Sequence, residues 1–202
     1  MTIAEAKREL INRFHAVGID SPEVDAEWLL STLLDRSRAE LPIYRSQTLT
    51  THQESLLAEQ VVRRTNREPL QHILGTANFF GYDFEVSPEV LIPRPETEFV
   101  VIAAVDYAAE QGWSHDLRIA DIGTGSGILA VTLAKERPGW SVVATDIQAG
   151  AITVADENVR ALGVASQVEL RNGTFFAGET EEDQFDIVVS NPQYVTRIEY
   201  EA

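Results

Sequence analysis

The apolar positions at the start of the chain recur with helical spacing. Over residues 2–17 they form one stripe, which contains Ile3, Leu10, Ile11, Phe14 and Val17. Because residues three and four apart share a face of a helix, this stripe predicts an amphipathic helix with one buried side. Thr2 and Glu5 have the spacing of a capping box, in which each side chain bonds the other residue's backbone N–H.

Two further helices are predicted before residue 75. One begins at Ser21–Pro22, since proline suits the first turn of a helix. The next begins near Thr51, whose spacing to Glu54 fits a second capping box, and continues to about Arg67. We therefore expect an all-helical domain over residues 1–75.

The pattern changes over residues 76–95. Aromatic, β-prone residues surround Gly81, and this predicts a short hairpin. The segment Leu91–Glu96 is too rich in proline for a helix or a central strand. We interpret residues 76–95 as a hairpin followed by a stiff linker between two domains.

Strand-like and helix-like patterns alternate from residue 96 onward. The predicted strands are Leu117–Asp121, Ser141–Asp146, Val168–Arg171 and Phe185–Ser190. Apolar residues with helical spacing separate the first three of them. Alternation of this kind predicts an α/β fold with a parallel, doubly wound sheet, and we assign this domain to residues 96–202.

Charge is distributed unevenly along the 202 residues. The formal net charge is −16; residues 1–95 hold 10 basic and 14 acidic residues, and residues 96–202 hold 6 and 18. The second part, at −12, lacks the basic face that displaces counterions from nucleic acid, so we expect no direct nucleic-acid binding. The one basic cluster contains Arg63, Arg64 and Arg67; it fits a solvated helix face, and a patch for an acidic partner is the alternative.

Composition excludes several further classes of protein. The absence of cysteine excludes disulfides and thiolate metal sites, and no spacing suggests another metal site. No apolar run is long enough to span a bilayer, and no basic-then-apolar leader precedes the first helix. We expect a monomeric cytoplasmic protein without membrane contact.

A glycine loop, Asp121-Ile-Gly-Thr-Gly-Ser-Gly127, joins a predicted strand to a predicted helix. Glycine lets the backbone turn tightly and approach a ligand, but the G-x-G-x-G spacing differs from the one that holds a dinucleotide pyrophosphate. Asp146 ends the next strand, where a carboxylate can accept bonds from ribose hydroxyls; the alternative is a helix cap or turn. The combination resembles the class I methyltransferase fold, whose cofactor is S-adenosyl-L-methionine.

The last predicted strand runs directly into Asn191-Pro-Gln-Tyr194. In a doubly wound sheet the carboxyl ends of the strands form the ligand crevice, and the proline restricts the backbone of Asn191. The segment resembles the N-P-P-Y motif of amino-group methyltransferases. The Asn191 side-chain oxygen and the Pro192 carbonyl can accept both N–H bonds of a substrate –NH2, while Tyr194 packs on its flat face, so catalysis would rest mainly on positioning.

Taken together, the motifs resemble the HemK/PrmC family of peptide chain release factor glutamine methyltransferases. The most specific are Arg67-Glu-Pro-Leu-Gln-His-Ile-Leu-Gly75 and Leu91-Ile-Pro-Arg-Pro-Glu-Thr-Glu98. The resemblance implies N5-methylation of the glutamine in the Gly-Gly-Gln motif of a release factor. It also implies that the N-terminal helical domain helps to recognise that protein.

The resemblance assigns roles to individual positions. The implied cofactor-binding residues are Gly123, Thr124, Gly125, Ser126, Gly127, Asp146, Phe175 and Asn191. The implied substrate-binding residues are Asn191, Pro192, Gln193 and Tyr194, and of these Asn191, Pro192 and Tyr194 are the expected catalytic residues.

Three features depart from the family pattern. Gln193 replaces a second proline, which loosens the loop, so we expect reduced but not abolished activity. Thr174 stands where the family usually has aspartate, which affects the polar contact expected on the adenine side. The chain also ends soon after its fourth strand, in the usual strand order 3-2-1-4, so we expect a methyltransferase domain that is incomplete at its C-terminus and has an exposed edge strand.

Three other functions use the same motifs. An adenine-N6 methyltransferase of nucleic acid acts on a similar nitrogen, although the charge of −12 argues against it. A methyltransferase acting on a ribosomal-protein glutamine shares the catalytic residues. A catalytically weakened homologue that still binds S-adenosylmethionine is consistent with Gln193, Thr174 and the early end of the chain.

Overall fold

The computed structural model of the protein describes residues 1–113, 116–174 and 184–192. The chain divides into two compact units, Met1–Leu74 and Gly75–Ala202. Among the helices in the described ranges, none has the length and apolar character needed to cross a membrane.

The first unit is helical, as predicted. Its helices are α1 (Ile3–Ala16), α2 (Pro22–Leu34), α3 (Thr51–Thr65) and the short α4 (Leu70–Leu74). Phe14, Leu29 and Leu30 are completely buried in the core that these helices share. Thr2 and Glu5 form the predicted capping box at the start of α1.

The cap of α3 differs from the prediction by one residue. Thr50 and Gln53 form the capping box, in place of Thr51 and Glu54. The two pairs have the same spacing and similar side chains, so the sequence pattern alone does not distinguish them. The backbone does, because Thr50 has the extended conformation of an N-cap (φ −72°, ψ 159°).

The basic residues at the end of α3 form hydrogen bonds and ion pairs within the first unit. Arg64 Nε donates a 2.7 Å hydrogen bond to the largely buried Asp25, and Arg63 pairs with Glu68. Arg67 donates to the backbone carbonyl of Gly18, after α1. These three side chains therefore connect segments of the helical unit, where a solvated helix face was predicted.

The second unit contains a hairpin and a parallel sheet with helices. Its elements are β1 (Thr76–Phe79), β2 (Tyr82–Glu85), α5 (Glu98–Glu110), β3 (Arg118–Ile122), α6 (Ile128–Glu136), β4 (Ser141–Asp146), α7 (Ala149–Ala161), β5 (Val168–Asn172) and β6 (Ile187–Ser190). The sheet order is β5-β4-β3-β6 with all neighbours parallel, which confirms the predicted order 3-2-1-4. The carboxyl ends of these strands consequently meet at one edge.

Residues 76–95, which the sequence predicts to be a hairpin followed by a stiff linker, pack within the second unit. Phe79 and Phe84 from the two hairpin strands are buried in the core of the sheet. Val86 and Val90 pack against Ala151 and its neighbour Val154 on α7. Alternate side chains of a strand share one face, so the aromatic residues of this hairpin bury that face instead of leaving it in solvent.

One buried side chain connects the hairpin to the glycine loop. Asn158 on α7 accepts a 2.7 Å hydrogen bond from the N–H of Glu85 and donates to its carbonyl at 3.0 Å. The same Nδ2 donates to the carbonyl of Ser126 at 2.9 Å. The hairpin thus occupies a defined position beside the loop that follows β3.

Candidate active site

A cavity of about 570 Å³ opens at the carboxyl ends of β3, β4 and β6. It is lined by the glycine loop (122–126), by residues 145–148 after β4, by Gly173 and Thr174 after β5, and by Asn191 and Pro192 after β6. Residues 89–94, together with Ile128, Leu129 and Ala151, supply the rest of the wall. Parallel strands bring these separate segments together because all of them end at the same edge of the sheet.

The glycine loop has a conformation that requires glycine. Gly123, Gly125 and Gly127 have φ values of +72°, +57° and +82°. A Cβ added at Gly123 or Gly125 would have no neighbour within 4 Å, whereas one at Gly127 would lie 3.3 Å from the Cβ of Ala155 on α7. The first two glycines therefore leave open space beside the cavity, and the third allows close packing of the loop on a helix.

Asp146 shapes the loop from the end of β4. One carboxylate oxygen accepts a 3.0 Å hydrogen bond from the N–H of Gly125, and the other accepts a 2.9 Å bond from the N–H of Gln148. A carboxylate has about four lone-pair positions, so both oxygens can still accept bonds from ribose hydroxyls. Asp146 lines the cavity, and its predicted ribose contact is compatible with this geometry.

Asp121 supports the glycine loop without lining the cavity, and the sequence prediction did not include it. It is completely buried beneath the loop, where Oδ2 accepts a 2.6 Å bond from the Thr124 hydroxyl and a 3.2 Å bond from the N–H of Ala130. Burial raises the pKa of this carboxyl to about 6, although the bonds from Thr124 and Ala130 act to lower it and the charge of Asp146 adds to the rise. Its place at the first position of the glycine motif is the signal that would have identified it.

Asn191 is held in a defined orientation at the end of β6. Its Nδ2 donates a 2.9 Å hydrogen bond to the hydroxyl of Thr97, and Asn191 and Pro192 both line the cavity. Phe175, Gln193 and Tyr194, which the sequence also predicted, lie outside the described residues. Of the predicted site residues, the structure thus brings to the cavity Gly123 to Ser126, Asp146, Asn191 and Pro192, whereas Gly127 packs against α7.

The cavity also contains apolar surface that the sequence prediction missed. Ile147, next to Asp146, is 70% exposed and lines the cavity, as do Ile92 and Pro93 of the proline-rich segment. An elongated ligand with a flat ring, hydroxyls and a charged end matches such a mixture of apolar and polar groups. Within the described residues, no three His, Cys, Asp or Glu side chains are placed to hold a metal ion.

Two solved structures of methyltransferases have a similar fold. The N-terminal domain of human METTL16, in complex with SAH, matches with a TM-score of 0.50 and 19% identity over 84% of this chain and 65% of that one. The 16S rRNA methyltransferase RsmC of T. thermophilus, in complex with AdoMet and guanosine, matches with a TM-score of 0.51 and 23% identity over 60% and 33%. These similarities confirm the class I methyltransferase fold of the second unit.

Family models and curated relatives agree with this fold. Residues 5–75 match the PrmC N-terminal domain, and residues 107–201 match the methyltransferase small domain. The release factor glutamine methyltransferase of Koribacter versatilis is 40% identical over 98% of this chain and 69% of its own length; that of Coxiella burnetii is 37% identical over 96% and 68%. The chain spans about two thirds of the length of these relatives, and it belongs to the release factor glutamine methyltransferase family.

Proposed function

We propose that the chain binds S-adenosylmethionine in the cavity and transfers its methyl group to N5 of the glutamine in the Gly-Gly-Gln motif of a release factor. The observation that carries the proposal is the amide of Asn191, which stands at the edge of the same cavity as the glycine loop and Asp146. Membership of the family supports this choice of substrate. The helical unit, with its PrmC N-terminal match, is the proposed recognition domain for the protein substrate.

The cofactor is proposed to lie along the carboxyl edge of the sheet. The open sides of Gly123 and Gly125 let the backbone approach the methionine portion, and Asp146 accepts the ribose hydroxyls. Ile147, together with Phe175, supplies apolar surface for the adenine ring. When bound, S-adenosylmethionine would supply a methyl group on a positively charged sulfur: the nitrogen lone pair forms a bond to the methyl carbon, the carbon–sulfur bond breaks, and the sulfur leaves as the neutral thioether S-adenosylhomocysteine.

The chain's own contribution is to orient a poor nucleophile. The lone pair of an amide nitrogen is delocalised, so planar geometry opposes its attack. Asn191 Oδ1 and the Pro192 carbonyl accept the two N–H bonds of the substrate and favour pyramidalisation, and Tyr194 packs on the amide plane. Since the nitrogen becomes cationic before it loses its proton, no strong general base is required, and positioning supplies most of the rate enhancement.

Transfer of a labelled methyl group to a purified release factor tests the proposal. We expect label on the wild-type substrate, none when the Gly-Gly-Gln glutamine is replaced by alanine, and a large loss with Asn191→Ala. Asn78→Ala is the matched control, because Asn78 lies on β1 and pairs with Asp83, away from the cavity. Label on a ribosomal protein or on DNA but not on the release factor would reject the proposed substrate, and cofactor binding without label anywhere would indicate a silent homologue.

A further inference from the structure

Thr97 contacts the proposed catalytic amide from a distant part of the sequence. It is buried, with 4% of its surface exposed, and its Oγ1 accepts the 2.9 Å hydrogen bond from Asn191 Nδ2 across 94 positions. Thr97 belongs to the Pro-Arg-Pro-Glu-Thr-Glu segment, the most specific motif of the chain, to which the proposed chemistry assigns no role. The contact therefore connects an unexplained motif to the reacting centre.

The hydroxyl of Thr97 is not used to stabilise its own helix. Thr97 occupies the N-cap position of α5, where a threonine oxygen normally accepts a bond from a backbone N–H of the first turn. No such bond is present at α5, and the residue before the helix has helical backbone angles instead (φ −67°, ψ −21°). Because the Thr97 hydroxyl does not cap α5, we assign to it the hydrogen bond with Asn191 as its structural role.

An asparagine side chain needs such a contact to present one particular end. The terminal torsion of asparagine is broad and roughly two-fold, so Oδ1 and Nδ2 can exchange places at little cost. A substrate –NH2 group has two N–H donors and therefore requires an acceptor. If Nδ2 faced the substrate instead of Oδ1, two N–H groups would point at each other and no hydrogen bond could form. In the structure the Thr97 hydroxyl accepts the bond from Nδ2, and in this arrangement Oδ1 is the end that can receive the substrate.

The surrounding segment holds Thr97 in place. Its N–H donates a 3.0 Å bond to the carbonyl of Arg94, which closes a 3₁₀ turn over Pro95–Thr97. The next residue, Glu98, accepts a 2.9 Å bond from the N–H of Phe80 in the hairpin turn. The anchor for Asn191 is thus connected to the hairpin of the second unit.

We propose that Thr97 is a positioning residue, which fixes the Asn191 amide with its oxygen toward the substrate glutamine. This inference rests on the proposed function and assigns the Pro-Arg-Pro-Glu-Thr-Glu segment to catalytic geometry. Its effect is exerted through Asn191, so loss of the Thr97 hydroxyl lowers the rate of methyl transfer more than the affinity for the release factor.

The test compares Thr97→Val, Thr97→Ser and Thr132→Val in methylation of the release factor. Valine keeps the shape of threonine without its oxygen, serine keeps the oxygen, and Thr132 is a buried threonine on α6 whose hydroxyl has no partner within the described residues. We expect Thr97→Val to lower kcat by about 10- to 100-fold with little change in KM for the release factor, as for other small misplacements at a reacting centre. We expect Thr97→Ser to retain most of the wild-type kcat and Thr132→Val to leave kcat unchanged.

Thermal unfolding of each variant separates positioning from stability. Wild-type kcat in Thr97→Val, or a serine variant as impaired as the valine variant, would overturn the inference. So would a loss of kcat in Thr97→Val that its unfolded fraction accounts for. If the wild-type chain binds S-adenosylmethionine yet methylates no release factor, the proposed function fails first, and that result is distinct from the three just named.

Discussion

The hydroxyl of Thr124 donates a 2.6 Å hydrogen bond to the carboxylate of Asp121, which is completely buried. The bond joins the fourth residue of the glycine motif to its first residue, which lies near the end of β3. The other carboxylate oxygen, Oδ1, has no partner within the described residues. A buried carboxylate with an incomplete set of donors is costly to ionise, and the stability of the protein therefore depends on pH.

The first prediction concerns pH. Burial raises the pKa of Asp121 in the folded protein from 3.8 to about 6, so the folded state binds the proton more tightly than the unfolded state. The stabilisation from the protonated form is fully present below pH 3.8 and is lost as pH rises through about 6. At 1.36 kcal/mol per pH unit, the loss is about 3 kcal/mol.

Asp121→Asn isolates this contribution. We expect the difference in unfolding free energy, wild type minus variant, to fall by about 2.4 kcal/mol between pH 4 and pH 7 in urea titrations, since at pH 4 part of the full effect is already lost. Other titrating groups cancel in the difference because both proteins carry them. A difference that stays constant over this range would show that Asp121 titrates normally.

Asn158 is predicted to matter for stability beyond its size. It is 1% exposed and bonds both backbone groups of Glu85 and the carbonyl of Ser126. Asn158→Ala removes these three bonds and should lower the unfolding free energy by about 3 kcal/mol, at about 1 kcal/mol each. Asn78→Ala, at an exposed hairpin position, should change it by about 0.5 kcal/mol or less. Equal losses in the two variants, measured by urea denaturation, would contradict the assigned role.

Gly125 and Gly163 allow conformational strain to be separated from ligand contact. Both have positive φ, +57° and +74°, and a Cβ at either position would meet nothing within 4 Å. Replacement by alanine should therefore cost each about 1–2 kcal/mol of stability. Only Gly125 lines the cavity, so only Gly125→Ala should weaken binding of S-adenosylmethionine, by about 10-fold for each 1.4 kcal/mol of lost contact. Titration calorimetry measures the affinity of each variant for S-adenosylmethionine. Equal affinities in the two variants would show that the glycine loop does not contact the cofactor.

Gln193 offers a gain-of-function test. A proline at this position would restrict the backbone of the segment that we propose holds the substrate, and this restriction is worth about 1 kcal/mol, or roughly 5-fold in rate. We expect Gln193→Pro to methylate the release factor faster than wild type, whereas Gln193→Ala, which lacks the ring, should not. An unchanged rate in the proline variant would show that the natural glutamine does not limit activity.

The sequence alone determined most of the local structure. Apolar periodicity identified α1–α3 and the parallel strands, because helices and strands repeat their buried side chains at fixed, different intervals. The glycine motif identified the loop after β3, since residues other than glycine rarely adopt a positive φ. Capping of α3 was the exception, because two overlapping pairs satisfied the same local rule.

Only the tertiary structure decided which distant residues act together. Burial of its aromatic face assigned the hairpin to the second unit, and a single bond across 94 positions linked Thr97 to Asn191. Asp121 likewise acquires its raised pKa from complete burial under the loop, a quantity that no spacing contains. Local patterns report the preferences of neighbouring residues, whereas a hydrogen bond or a desolvated charge depends on what the folded chain places around it.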